Sequence, residues 1–193
     1  MLFGAAIALG AVVSSRPPGG LDVSAQSLRG EAIGAAMFFT ALGRAWPLVA
    51  LSAAALGSAA AARAPLVPVA IVIGAQTLSQ AVNAVVKLGF HRLRPGGSIG
   101  YHEQDSSYPS GHAVTAVVFF AGFAMLAWLG PLPRPLAAPL AAVLAVCAVA
   151  IPWSRLALGA HYATDVLGGL LLGAAWLCLV FAALLRWVPT LSR

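Results

Sequence analysis

The sequence predicts an all-α fold, a polytopic membrane helix bundle of about six transmembrane helices with its functional site at one membrane edge. Three observations carry this. Of 193 residues, 61% are hydrophobic and only 8% are charged, where a soluble chain carries about 45–50% and about 25%. Mean hydropathy is +0.92. Long uncharged runs alternate with short segments rich in Pro, Gly and Arg. Such a chain cannot cover a water-facing surface, so soluble and disordered classes are excluded.

The first apolar run, residues 2–15, ends at Arg16-Pro17-Pro18. Fourteen helical residues reach only about 21 Å, short of the roughly 30 Å hydrocarbon core. A short tilted helix, a helix beginning upstream and a cleaved signal peptide all remain open. The missing basic n-region ranks an uncleaved helix first. Residues 16–45 hold Arg16, Asp22, Arg29, Glu31 and Arg44, and read as an exposed loop with an interfacial helix over 31–42. Trp46 and Pro47 open a span over 46–62, Trp suiting the interface and Pro the first helical turn. Further spans are expected over 66–89, 113–130, 136–151 and 161–185. The last carries Gly169 and Gly173 at the spacing of a close-packing motif. Cys147 and Cys178 each lie in an apolar run and read as packing residues. The chain as a whole, 1–193, reads as one membrane-embedded domain.

The formal charge is +6, with one lysine, Lys87. The cations are too scattered for a nucleic-acid stripe, and lipid headgroups are the better anionic partner. The turns at 63–65 and 131–135 are basic for their size, as are the C-terminal Arg186 and Arg193. This predicts that both termini are cytoplasmic. Arg16, Arg29, Arg44 and Arg92 vote the other way.

The remaining polar residues gather at span ends, with Lys87, Arg92 and Arg94 after the third. Ser110 and His112 open the fourth span. Ser154 and Arg155 follow the fifth, and His161 and Asp165 begin the sixth. Alternating topology brings all of them to the outer edge. Ionisable groups there are expensive, and usually functional. Lys87, Arg94 and Arg155 form a clamp suited to a phosphoryl group. Lys87 and Arg94, about two turns apart, would share a helix face up to Pro95. Pro109-Ser110-Gly111-His112 would open a helix whose free N–H groups face an anion, although Pro-Ser-Gly alone also reads as a cap. His161 and Asp165, at i and i+4, face each other on a helix. The pair is either structural, or an oriented imidazole ready to act as nucleophile. His112 brings a second imidazole, and together they fit transfer through a phosphohistidine. Arg92 would add charge at the pocket rim. Gln76, Gln80, Asn83 and Lys87 form one polar stripe, read either as interhelical hydrogen bonding or as a wall that positions Lys87. His91, His102 and Glu103 are too loosely spaced for zinc and read as solvated loop residues.

Lys87-x6-Arg94-Pro95, Pro109-Ser110-Gly111-His112 and Ser154-Arg155-x5-His161-x3-Asp165 resemble the three signatures of the type-2 phosphatidic acid phosphatase superfamily. That group includes lipid phosphate phosphatases and undecaprenyl-diphosphate phosphatases, and shares its site with vanadium haloperoxidases. The resemblance implies His161 as nucleophile, Asp165 as its partner, and His112 as general acid and then base. It implies Lys87, Arg94, Ser110, Gly111 and Arg155 as phosphate ligands, with no metal and no cofactor. The alternating topology and the positive-inside count make the chain a multi-pass protein of the cell membrane with its site expected on the extracytoplasmic side. The expected activity is hydrolysis of a lipid phosphate or diphosphate, such as undecaprenyl diphosphate, phosphatidic acid or phosphatidylglycerol phosphate. A transferase using the same intermediate is the nearest alternative. A transporter is less favoured, because the charges sit at one edge and no inverted repeat is visible.

Overall fold

The computed structural model describes residues 1–100 and 103–187. His102 and Arg193, which figured in the expectations above, lie outside the described residues. The described residues form helices and no strands. In chain order the helices are α1 (Leu2–Ser14), α2 (Gly20–Ala25) with a short 3₁₀ turn at Gln26–Leu28, and α3 (Ile33–Leu42). There follow α4 (Ala45–Ala61) and α5 (Val67–Phe90). The remaining helices are α6 (Gly111–Leu129), α7 (Arg134–Ala157) and α8 (Ala163–Trp187).

Among the described residues four helices, α5 to α8, are long and apolar enough to cross a membrane. The bent pair α3 and α4, which meet at 58°, adds a fifth if it counts as one span. The expectation of six therefore rests also on α1, which has only 13 residues.

Small residues let the central helices approach. A Cβ at Gly173 would fall 2.8 Å from the Val117 Cβ, and one at Gly169 would strike the Ser110 carbonyl and lie 2.8 Å from the Ala113 Cβ. The close-packing spacing on α8 thus seats α6. The Tyr108 hydroxyl donates to the Ala6 carbonyl at 2.5 Å, tying α1 to the connector that leads into α6. Cys147 and Cys178 are both free thiols.

Three sequence boundaries shift, and each shift bears on the site. Residues 16–45 are not simply an exposed loop: α2 and α3 bury Asp22, Ala36 and Thr40. The fifth span does not stop at Ile151. α7 runs through Pro152 to Ala157, so Ser154 and Arg155 ride on its last turns. A proline inside a membrane helix is tolerated where neighbours re-satisfy the freed backbone. α5 ends at Phe90, and His91 adopts a left-handed conformation with φ 45°. Arg94 therefore lies beyond the helix and does not continue the helical face of Lys87.

Candidate active site

The ends of four long helices meet at one end of the bundle. Lys87 lies in the last turn of α5, Gly111 and His112 in the first turn of α6, Arg155 in the last turn of α7, and Asp165 in the first turn of α8. Of these, Lys87, Gly111 and His112 line a cavity of about 360 Å³, together with residues that include Gly43, Asn83, Glu103 and Asp105.

His161 sits in the turn before α8, not on the helix itself. Its Nδ1 lies 3.6 Å from Asp165 Oδ2 and 3.4 Å from the Ser107 hydroxyl. On the other side of the ring, Arg94 Nη1 lies 3.0 Å from Nε2. A guanidinium only donates. Nε2 is therefore the acceptor, and Nδ1 carries the proton facing the carboxylate. Burial, above all, pushes the His161 pKa down to about 3, and the Arg155 and Arg94 charges act in the same direction. The imidazole is neutral, with its lone pair directed at the cations.

Three cations converge here. Arg94 donates to the Ala160 carbonyl at 3.0 Å, which fixes its fork beside His161. Arg155, 1% exposed, donates through Nη1 to Thr40 Oγ1 at 2.6 Å. Lys87 donates to the Ser106 carbonyl at 2.6 Å. Their free valences go to two carboxylates of the connector between α5 and α6. Glu103 pairs with Arg94 and Arg155, each at 2.9 Å. Asp105 pairs with Lys87 at 2.9 Å and with Arg94 at 2.5 Å. Burial alone would raise the Glu103 pKa, but Arg155 and Arg94 outweigh it and hold the carboxyl below its usual range. The same holds for Asp105, where Lys87 and Arg94 overcome burial.

His112 Nε2 lies 3.2 Å from the Thr40 carbonyl. A carbonyl only accepts, so Nε2 donates and Nδ1 is left for proton exchange. The Ser110 hydroxyl and Arg155 Nε are buried with no hydrogen-bond partner among the described residues. Orphaned polar atoms of this kind are costly and mark a place where a polar ligand completes the network. Gly111 follows Ser110, and a Cβ there would press on Asn83 Nδ2 at 3.2 Å and Gln80 Oε1 at 3.3 Å. A glycine at that point keeps the first turn of α6 open to the cavity.

Residues 68–189 match the PAP2 superfamily. The chain belongs to that superfamily. It is 41% identical over 81 residues to the lipid A 1-phosphatase of Rhizobium johnstonii, covering 42% of this chain and 29% of that protein. It is 36% identical over 93 residues to phosphatidylglycerophosphatase B of Bacillus subtilis, covering 48% and 46%. The chain thus spans under half the length of these curated relatives. A crystal structure of a transmembrane PAP2-type phosphatidylglycerolphosphate phosphatase from Bacillus subtilis superposes with a TM-score of 0.80 at 24% identity, over 98% of this chain and 96% of that one. The PAP2 fold is therefore shared along nearly the full chain.

All eight residues singled out from the sequence, Lys87, Arg94, Ser110, Gly111, His112, Arg155, His161 and Asp165, come together at this end of the PAP2 fold. The polar stripe on α5 serves partly as interhelical bonding: Gln76 and Gln80 donate to Thr115 Oγ1 at 2.9 and 3.1 Å. Asn83 lines the cavity, its Oδ1 buried with no partner among the described residues. Two readings need correction. Glu103 is no solvated loop residue, because it bridges two arginines. Arg92 is not at the rim. It is buried and pairs with Asp22 and Asp165. Thr40, Ser107 and Asp105 escaped the sequence reading because each reaches the site from a loop or a remote helix. No motif spacing ties them to it. Among the described residues no group of three or more His, Cys, Asp or Glu is arranged to hold a metal ion.

Proposed function

We propose that this protein is an integral membrane phosphatase that releases phosphate from a lipid phosphate or diphosphate through a phosphohistidine, with no metal ion. The observation that supports it most is His161 Nε2, unprotonated and 3.0 Å from an arginine in a buried cluster of cations. An imidazole lone pair beside a phosphate clamp is an activated nucleophile.

In the first step Nε2 attacks phosphorus while the bond from phosphorus to the lipid-side oxygen breaks. His112, entering the step protonated at Nδ1 with its Nε2–H held by the Thr40 carbonyl, gives that oxygen the Nδ1 proton, and Asp165 stabilises the charge developing on His161. In the second step His112 takes a proton from water, whose oxygen displaces His161 from phosphorus. Inorganic phosphate leaves, and both imidazoles return to their starting state. Lys87, Arg94, Arg155, the Ser110 hydroxyl and the first N–H groups of α6 hold the phosphoryl oxygens throughout. The names of the relatives support a lipid carrying a phosphate at the membrane surface. Prenyl diphosphates, phosphatidic acid and phosphatidylglycerol phosphate are the candidates. The site faces the extracytoplasmic side of the cell membrane on the positive-inside count.

The test is phosphate release by detergent-solubilised protein from those three lipids, with EDTA present and His161→Ala alongside. Release that survives EDTA and vanishes in the variant supports the reading. Undiminished release by His161→Ala refutes it. Release only when a sugar or lipid hydroxyl is added would identify a transferase.

A further inference from the structure

Among the described residues a buried ionic cluster joins Asp22, Arg92 and Asp165. Asp22, on α2, is 2% exposed, and Arg92, in the connector after α5, is 7% exposed. Arg92 Nη2 meets Asp22 Oδ2 at 2.7 Å. The same guanidinium donates through Nη1 to Asp165 Oδ1 at 2.6 Å and to Thr164 Oγ1 at 2.6 Å. Thr164 closes the ring: its backbone N–H and hydroxyl donate to Asp22 Oδ1 at 2.9 and 2.8 Å. The guanidinium also lies over the Tyr162 ring, 4.6 Å from its centre.

This divides the work of the Asp165 carboxylate. Oδ1 is taken by Arg92. Oδ2 accepts from the Ser107 hydroxyl at 2.5 Å and the Tyr162 N–H at 2.8 Å, and it is this oxygen that faces His161 Nδ1. A carboxylate held by one oxygen can turn about its Cβ–Cγ bond; one held at both cannot. The planar fork of Arg92 spans two carboxylates at once, which a lysine ammonium on a flexible stem does not reproduce. Asp22 fixes the far end of that fork and supplies the second negative charge that keeps a buried guanidinium compensated.

We propose that Arg92 and Asp22 are positioning residues for His161, locking the Asp165 carboxylate so that it holds the imidazole as the Nδ1–H tautomer with Nε2 free to attack. This rests on His161 being the phosphoryl acceptor. It adds to the site two residues outside the motifs: Arg92 occupies an unspecified position of the first, and Asp22 precedes residue 68, where the family match begins. The N-terminal segment thereby becomes part of the reaction centre's support.

Two variants of the full-length, detergent-solubilised protein test it. Asp22→Asn keeps the side chain's shape but removes its charge and turns one acceptor into a donor, facing either Arg92 Nη2 or the Thr164 N–H, and Asp22→Asn/Arg92→Gln removes the fork without leaving an unpaired buried charge from the pair. Kinetics are measured on whichever lipid the wild type cleaves. In parallel, NMR reads the imidazole nitrogen shifts of His161, assigned by their loss in His161→Asn. For the double variant we expect kcat to fall about 100-fold, the scale of a misplaced reacting group. KM should change less than about threefold, since the phosphate clamp is untouched, and the His161 nitrogen shifts should move away from a pure Nδ1–H tautomer. Asp22→Asn should lose less, because Arg92 still reaches Asp165. A folded double variant with wild-type kcat and wild-type His161 shifts overturns the proposal while leaving the phosphatase intact. Shifts that respond to the double substitution, in a wild type that releases phosphate from no lipid, would sustain the positioning role and defeat the phosphatase.

Discussion

On the proposed mechanism a substrate phosphoryl group would compete with Glu103 for the same two arginines, so Glu103→Gln should tighten substrate binding. Glu103 holds Arg94 and Arg155 through one contact each at 2.9 Å, and its side chain is 32% exposed. Hydrogen bonds to charged groups are worth about 1.5–3 kcal/mol each when enclosed. Water regains much of that at a partly exposed carboxylate, as measured surface pairs show. A net of about 1.4 kcal/mol for releasing Glu103 is a reasonable middle value, and it corresponds to a tenfold change in affinity. Glutamine keeps the shape but removes the charge and turns one donor toward an arginine. The assay is inhibition of phosphate release by vanadate and by inorganic phosphate, together with KM. We expect both inhibition constants and KM to fall about tenfold, with kcat held or raised, and the gain to shrink in high salt as screening weakens the wild-type pair. Asp105→Asn should do less, because Asp105 is 56% exposed. A tenfold rise in KM for Glu103→Gln would refute the reasoning, since it would mean that Glu103 helps bind substrate.

Two further outcomes follow from the same geometry. The folded pKa of His161, about 3, lies below its ordinary 6.5. Stability from keeping it neutral is therefore complete above 6.5 and is lost as pH falls toward 3. The wild-type thermal midpoint should drop between about pH 7 and about pH 5, and more steeply than that of His161→Asn; equal slopes would contradict the buried neutral imidazole. Gly173→Val places a side chain against Val117, and overpacking of this kind costs about 1–3 kcal/mol. Its thermal midpoint should fall, whereas Gly74→Ala, where a Cβ meets nothing within 4 Å, should match the wild type.

The residues proposed to hold phosphate were legible because that chemistry would demand fixed types at fixed spacings. A cation, a helix-opening glycine and an imidazole with a carboxylate four residues on can be read from a string. The apolar runs were legible for a similar reason, since a bilayer imposes length. Boundaries were less so. The fifth span was expected to end at Ile151, yet α7 continues through Pro152 to Ala157, and its final turns are buried among other helices. Pro95 suggested where α5 ends, but the chain had already turned at His91. Burial of the last turns carried α7 past its proline, whereas α5 ended at the left-handed His91 before its own proline was reached.

The support of the site was legible only as Arg92, a cation near the pocket, and not as the buried pair it forms with Asp22. Asp22 lies in a polar stretch that looks like any solvated loop, and its identity as a buried ion pair depends on Arg92 and Thr164, which are remote in sequence. Nothing local separates it from Glu31, the acid nine residues on, which is exposed. What separates them is desolvation. A carboxylate that the fold encloses must be paired, and the partner it found is the arginine that also grips Asp165. A motif records the groups that meet the substrate. The groups that hold those groups still are chosen by where the chain runs, and here the chain that supplies one of them lies before the matched family region begins.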